Sequence, residues 1–258
     1  MAYLRPSKID AAKHSRAVLK LLVKKLRAAW PAVRITIRAD SGFCRWKLMR
    51  WCDSHGIGYL LGLARNSKLE AMATDGTERA RRQFERTKQP QRLFSAMSDK
   101  AKSWDRPRRV IHKAEHNAGG PNPRFVVCNV PGDPQELYDE VYCQRGEMEN
   151  RIKEQQLDLF ADRTSCHRFM ANAFRLLLSS AAYVLMQALR RAALSGTELA
   201  QAQVGTVRLK LLKVAARVLV SARRVLLHLA SGYPYQALFE EVRRRLVDPP
   251  SPPAIASG

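Results

Sequence analysis

Tyr142, Arg145, Glu149, Lys153 and Gln156 are spaced by three, four, four and three residues in the tract Tyr142-Cys-Gln-Arg-Gly-Glu-Met-Glu-Asn-Arg-Ile-Lys-Glu-Gln-Gln156. On a helix that spacing puts all five on one face. The face then carries a carboxylate between a guanidinium and an ammonium, with a phenol one turn before the arginine. This set suits a site for a metal ion and phosphates. Carboxylate oxygens are hard ligands of the kind Mg²⁺ takes, and the two cations hold phosphate oxygens. The plainer reading is a wet helix on which Glu149 pairs with Arg145 and Lys153, worth roughly 0.3–0.5 kcal/mol per pair.

A second acid, Asp40, ends the alternating run Val33-Arg-Ile-Thr-Ile-Arg-Ala-Asp40 and precedes Ser41-Gly42. At the carboxyl end of a parallel strand an acid faces the crevice where open sheets bind ligands. Alone, Asp-Ser-Gly reads as a turn aspartate bonded to the amides that follow it. Paired with the tract at Glu149, it reads as the second carboxylate of a metal-dependent phosphoryl-transfer site, in which two ions activate the attacking oxygen and stabilise the leaving one. His112-Lys-Ala-Glu-His116 matches the H-x-x-E-H string of inverted zinc peptidases, which needs both histidines on one helix. Here the string begins in a strand-like run and enters a Gly/Pro loop, so it reads as the polar end of a basic hairpin.

The elements that position these residues follow from patterning. Residues 10–29 predict an amphipathic helix with a basic outer face, ended by Trp30-Pro31. The run 33–40 predicts a strand, 43–54 a helix, and 57–63 a buried strand, together a βαβ unit with a parallel pair. Residues 68–106 are polar and Arg-rich, with a weak helical pattern at 70–86 and no strong core. Residues 108–114 and 124–130 predict strands joined by a turn-rich loop, and Asp133-Pro134 starts a helix. A long helix from about Cys166 to Leu194 reads as buried. Residues 217–220 and 225–229 pair as a hairpin or continue the preceding helix, 236–247 form a short basic helix, and the Pro-rich end from 248 is disordered. Trp46, Trp51 and Trp104 read as core.

Composition narrows the partner. The 258 residues carry 45 Lys and Arg against 23 Asp and Glu, a net charge of +22, and a pI near 10.4. A chain this basic repels itself unless a polyanion neutralises it, and nucleic acid is the first candidate. Clusters at Arg79–Arg82, Arg106–Arg109, Arg190-Arg191, Arg223-Arg224 and Arg243–Arg245 recur along the chain and suggest an extended phosphate-contacting surface. Five cysteines without C-x-x-C spacing disfavour a disulfide framework or a zinc ribbon and fit a reducing compartment. No signal peptide is evident, and the polar interruptions of 169–194 argue against a membrane span. The expectation is a cytoplasmic, nucleoid-associated protein.

Several segments together resemble the DDE transposases of bacterial insertion sequences. They are Arg38-Ala-Asp40-Ser-Gly-Phe-Cys44, Tyr142-x2-Arg145-x3-Glu149 with its flanks, Lys113–His116, Asn122–Val127, the stretch 176–191 and Thr206–Lys213. The similarity runs to about residue 247. It implies a ribonuclease H-like α/β core, a strand-containing insertion and a helical C-terminal part. It also implies Mg²⁺- or Mn²⁺-dependent cleavage and strand transfer at terminal inverted repeats, with target DNA as the second substrate and a homodimer in the synaptic complex. By resemblance Asp40 and Glu149 are the second and third catalytic acids and metal ligands, while Tyr142, Arg145 and Lys153 hold the DNA end.

Two departures stand out. The family motif often has a lysine seven residues after the glutamate, where this chain has Gln156. The first aspartate of the family lies on a strand upstream of the helix at 10–29, and Asp10, the only acid before Asp40, is no substitute. The expectation is therefore an N-terminally truncated core lacking its first strands, which binds DNA and cuts poorly because two ions need the full acid set. The alternative is a non-catalytic DNA-binding remnant. The expected division is 1–67 for the remaining front of the core and 68–130 for the insertion. The helices with Glu149 fill 131–195, a basic region 196–247 and a tail 248–258.

Overall fold

The computed structural model describes residues 4–248 apart from residues 7 and 11. The expected disordered tail beyond Asp248 lies outside the described residues. The chain folds as two compact units, residues 5–148 and residues 149 onward.

The first unit is built on a mixed sheet. Helix α1 (Ser15–Ala29) leads to strand β1 (Thr36–Ala39), helix α2 (Trp46–Ser54) and strand β2 (Gly58–Leu63). Strands β1 and β2 are parallel with Thr36 opposite Gly58, which is the βαβ unit that the alternation predicted. Helix α3 (Ser67–Thr87) and strand β3 (Gln91–Asp99) follow, then β4 (Arg108–Asn117), the short β5 (Gly120–Pro121) and β6 (Arg124–Cys128). The sheet order is β1-β2-β6-β4-β3, with β5 on β4 and every contact after β1–β2 antiparallel.

Strand β2 lies between β1 and β6, reads Gly-Tyr-Leu-Leu-Gly-Leu without a charge, and is packed on both faces. Tyr59 and Leu61 join Leu48, Met49, Trp51 and Leu69 from the helices on one side. Leu60 packs with Ile111, Val126, Leu137 and Tyr138 on the other. The weak pattern at 68–106 conceals two full elements. Asn66 caps α3 by accepting from the Leu69 amide, and the small Ala73 and Ala80 bring the polar helix against β4. Strand β3 is half-exposed at the sheet's edge, so its sequence lacks a strong apolar signal. Trp51 and Trp104 are core, and Trp46 packs partly against it.

Helix α4 (Pro134–Glu136) starts where Asp133-Pro134 predicted, with the Asp133 carboxylate accepting from the amides of Gln135 and Glu136. It continues as π-helix through Leu137–Tyr142, closed by the Cys143 amide donating to the Tyr138 carbonyl at 2.8 Å. Residues 143–144 form a turn before α5 (Arg145–Lys153), and a second π segment spans Glu154–Asp158. The single helical face expected from Tyr142 to Gln156 is therefore interrupted. Only Arg145, Glu149 and Lys153 share one regular helix. Tyr142 ends the π segment before it, and Gln156 lies in the one after it.

In the second unit, α6 (Phe169–Leu189) runs into a π turn at Arg190–Leu194, then α7 (Val204–Val207) with a π turn at Arg208–Leu212. Strands β7 (Ala216–Val220) and β8 (Val225–Leu229) form the hairpin alternative, and α8 (Gln236–Val247) closes the unit. Its core gathers Met186, Leu194, Leu199, Val204, Val207, Leu211 and Val242. The expectation that 166–194 is a buried helix is corrected. Only 17% of its most apolar window is buried, and Met170 and Leu185 are 74% and 69% exposed. By length and composition alone this helix is apolar enough to cross a membrane.

Candidate active site

Asp40 follows the last residue of β1 with its backbone still extended (φ −76°, ψ −178°), and caps the 3₁₀ turn Ser41–Phe43. One carboxylate oxygen accepts from the Gly42 amide at 2.9 Å. Asp40 thus stabilises the turn with one oxygen, as the turn reading expected, and it stands exposed at the carboxyl end of a parallel strand. Just beyond it, burial pushes the Cys44 thiol up to about 11, so that side chain stays neutral.

Tyr142 reaches the same strand end from the other side of the chain. Phe94, Tyr138 and Tyr142 form a ladder of tilted rings at 5.5 Å centroid spacing, with the Lys113 ammonium 5.5 Å from the centre of the Tyr138 ring. The tyrosine hydroxyl ends over Gly62, where a Cβ would stand 2.7 Å from it, 3.1 Å from the Ser41 amide nitrogen and 3.3 Å from the Asp40 carbonyl carbon. Gly62 thus has the phenol and the Asp40–Ser41 backbone both closing on the space a side chain would take. Arg38, two residues before Asp40, donates to the Val141 carbonyl at 2.7 Å and ties the acid-bearing strand to the segment that presents Tyr142. Sequence reasoning missed both Arg38 and Gly62. The signal for Arg38 was its period-two relation to Asp40; a glycine facing a phenol leaves none.

Glu149 and Lys153 lie one turn apart on α5, both exposed, and Arg145 is the helix's first residue. Asp40 belongs to the first unit, and Glu149 opens the second. The acid that α5's neighbourhood does bury is Glu154, another residue the sequence did not single out. It pairs with the Arg190 guanidinium and accepts from the Val204 amide at 2.7 Å. Burial pushes its carboxyl up, but the Arg190 bond and the Val204 amide outweigh that and hold it below the ordinary carboxylate value. Asp10 pairs with Arg45 at 2.9 Å and accepts from the Ala12 amide, so it serves its own turn.

His112 and His116 sit on strand β4, where four residues separate them by about 13 Å, too far to share one zinc ion. His112 stacks on Phe125 at 5.0 Å, and Lys113 pairs with Glu115 at 2.6 Å. Asp40 keeps one carboxylate oxygen beyond the one bonded to the Gly42 amide. Among the described residues no three His, Cys, Asp or Glu side chains group to hold a metal.

A family model described as the transposase DDE domain, group 1, matches residues 1–250. The chain belongs to the DDE transposases. No curated protein matches it. The mixed sheet with helices on both faces is consistent with the ribonuclease H-like fold of these transposases. The family acts on DNA in transposition and generally uses divalent metal ions. Two of the six segments that carried the resemblance, Arg38–Cys44 and the one beginning at Tyr142, both come up to Gly62.

Proposed function

We propose that this domain serves the cleavage and joining of DNA at the ends of an insertion sequence, with Asp40 and Glu149 as two of the three catalytic carboxylates that the reaction needs. The observation that carries the reading is that the Tyr142 hydroxyl and the Asp40–Ser41 backbone both close on Gly62, beside the carboxyl end of β1. Asp40 and Glu149 would hold Mg²⁺ or Mn²⁺, and two ions would occupy the complete acid set. When bound, such ions lower the pKa of the attacking water or 3′-hydroxyl and stabilise the leaving oxygen. The chain's own side chains do the positioning. Tyr142 stacks on or hydrogen-bonds the strand end, while Arg145 and Lys153 hold phosphates beside it. The DNA partners are the terminal inverted repeats and the target, in a homodimeric synaptic complex, and the setting is the nucleoid.

The test is incubation of the full chain with linear duplexes bearing the matching terminal repeats, in Mg²⁺ or Mn²⁺. Metal-dependent cleavage that Asp40→Asn and Glu149→Gln each abolish, with duplex binding retained, supports the assignment. Cleavage that persists in Glu149→Gln overturns it. Binding without cleavage in the unmodified chain assigns a DNA-binding role alone.

A further inference from the structure

The five Arg clusters of the sequence have different fates in the fold. In α3, Arg81 pairs with Glu78 and Glu85, and Arg82 pairs with Glu78. Arg106 and Arg108 converge on Asp53, and Arg108 is buried. Arg190 is buried against Glu154. In α8, Arg243, Arg244 and Arg245 pair with Glu240 and Glu241. Among the described residues, Arg223-Arg224 is the one cluster with no carboxylate in contact.

That pair sits on the turn of the β7–β8 hairpin. No acid occurs between Glu198 and Glu240, whereas six Lys or Arg do. The two bracketing acids are already engaged, with Lys210 and Arg243. Every residue from 215 to 232 is exposed, and the two strands pair only with each other. The register puts Arg217 opposite His228 and Leu219 opposite Leu226 on one face of the ribbon. The other face is uncharged, with Val218 opposite Leu227 and Val220 opposite Val225. The Ser221 amide donates to the Arg224 carbonyl at 2.9 Å and fixes the turn, so both arginines project from a defined tip.

A two-stranded ribbon is narrow enough to enter the major groove of B-DNA. The hairpin has no Phe, Tyr or Trp, which removes the stacking platform that single strands require. Unneutralised guanidiniums on a tip and one face are a means of holding duplex phosphates, and arginine beside an aliphatic side chain also suits base edges and thymine methyl groups. We propose that the β7–β8 ribbon is a duplex-DNA contact of the second unit, inserting its Arg223-Arg224 tip and its Arg217/His228 face into a groove. The assignment rests on the DNA reading above, but not on the catalytic roles of Asp40 and Glu149.

The experiment uses the full chain and a fluorescent mixed-sequence duplex. In one arm, a photoreactive benzoylphenylalanine replaces Ala222. In the other, Arg217→Ala, Arg223→Ala and Arg224→Ala are combined, and duplex affinity is measured against salt. The ribbon contributes nothing to the unit's core, so the triple variant should melt with the parent. The expected results are a protein–DNA adduct at position 222 and a log–log salt slope reduced by about 0.9 for each phosphate that the variant no longer neutralises. An unchanged slope with no DNA adduct overturns the proposal. So does an adduct to a second copy of the chain, or to anionic vesicles offered in competition. A ribbon–DNA adduct in a chain that never cleaves overturns the catalytic reading and leaves this one standing. Normal cleavage with an unchanged slope does the reverse.

Discussion

The Tyr142 hydroxyl lies where a side chain on Gly62 would begin, 2.7 Å from the position of its Cβ. Two backbone atoms of the Asp40–Ser41 turn crowd the same point at 3.1 and 3.3 Å. The phenol is flexible, but the backbone is fixed by the Asp40 cap. Gly62→Ala must therefore displace the ring and strain the turn, a form of overpacking that costs about 1–3 kcal/mol. Thermal unfolding of the single and double variants measures it. Adding Tyr142→Phe should recover part of the loss, giving a coupling term in the double-mutant cycle. Strict additivity would show that the ring is not seated over Gly62.

Arg38 holds the end of the π segment through the Val141 carbonyl. The bond is exposed, so Arg38→Ala should cost only about 0.5–1.5 kcal/mol globally. The local effect should be larger. Hydrogen exchange of the amides from 138 to 146 should accelerate in Arg38→Ala while that of β2 stays unchanged. Protection unchanged in both segments would mean that Arg38 does not position Tyr142.

The parts of the site legible in sequence were those whose signal is local. Asp40 announced itself through alternation into a Ser-Gly turn, and the parallel β1–β2 pair through two apolar runs separated by a helical stretch. Asp133-Pro134 gave a helix start because its chemistry lies within four residues. The interruption after Tyr142 was not legible. A π turn differs from an α turn by one hydrogen-bond register, which composition does not report, and the segment's Leu137 and Tyr138 pack on the sheet. Strand β3 was hidden because an edge strand with one open side needs few apolar residues. The exposure of α6 was hidden for the opposite reason, since apolar composition reports a need for cover without saying what supplies it.

His112 makes the stability pH-dependent. It is 1% exposed, stacked on Phe125, and its Nε2 has no hydrogen-bond partner. Burial lowers its pKa from 6.5 to about 4. Unfolded chains take up the proton below about 6.5, whereas the folded chain resists it until about 4. The neutral-histidine contribution is thus fully present above 6.5 and is lost as pH falls through that window, by an amount of the order of 3 kcal/mol. Unfolding in urea from pH 7 to pH 4 should show the decline, and His112→Leu should flatten it. A slope identical in the variant would assign the dependence to other groups.

Glu154 should prove the most sensitive acid of the second unit, although it is not one of the motif residues. Its carboxylate joins Arg190 at the end of α6 to the Val204 amide at the start of α7, and Arg190 also donates to the Ala202 carbonyl at 2.6 Å. Next to it, the Asp158 carboxylate accepts from the Gly205 amide at 2.7 Å. Removing one member of a buried pair leaves the other charge without compensation, a loss of about 3–5 kcal/mol. Glu154→Leu should therefore unfold the second unit at far lower urea than Lys153→Leu, whose side chain is exposed. The Glu154→Leu/Arg190→Met pair should recover most of the loss, because it removes both charges together. The lowered carboxyl pKa fixes the acid behaviour: the pair's contribution is present above the ordinary glutamate value and disappears as pH falls through the depressed one. If Glu154→Leu alone melts with the parent chain, the carboxylate is not the junction of these helices, and the second unit must be held by its apolar cluster alone.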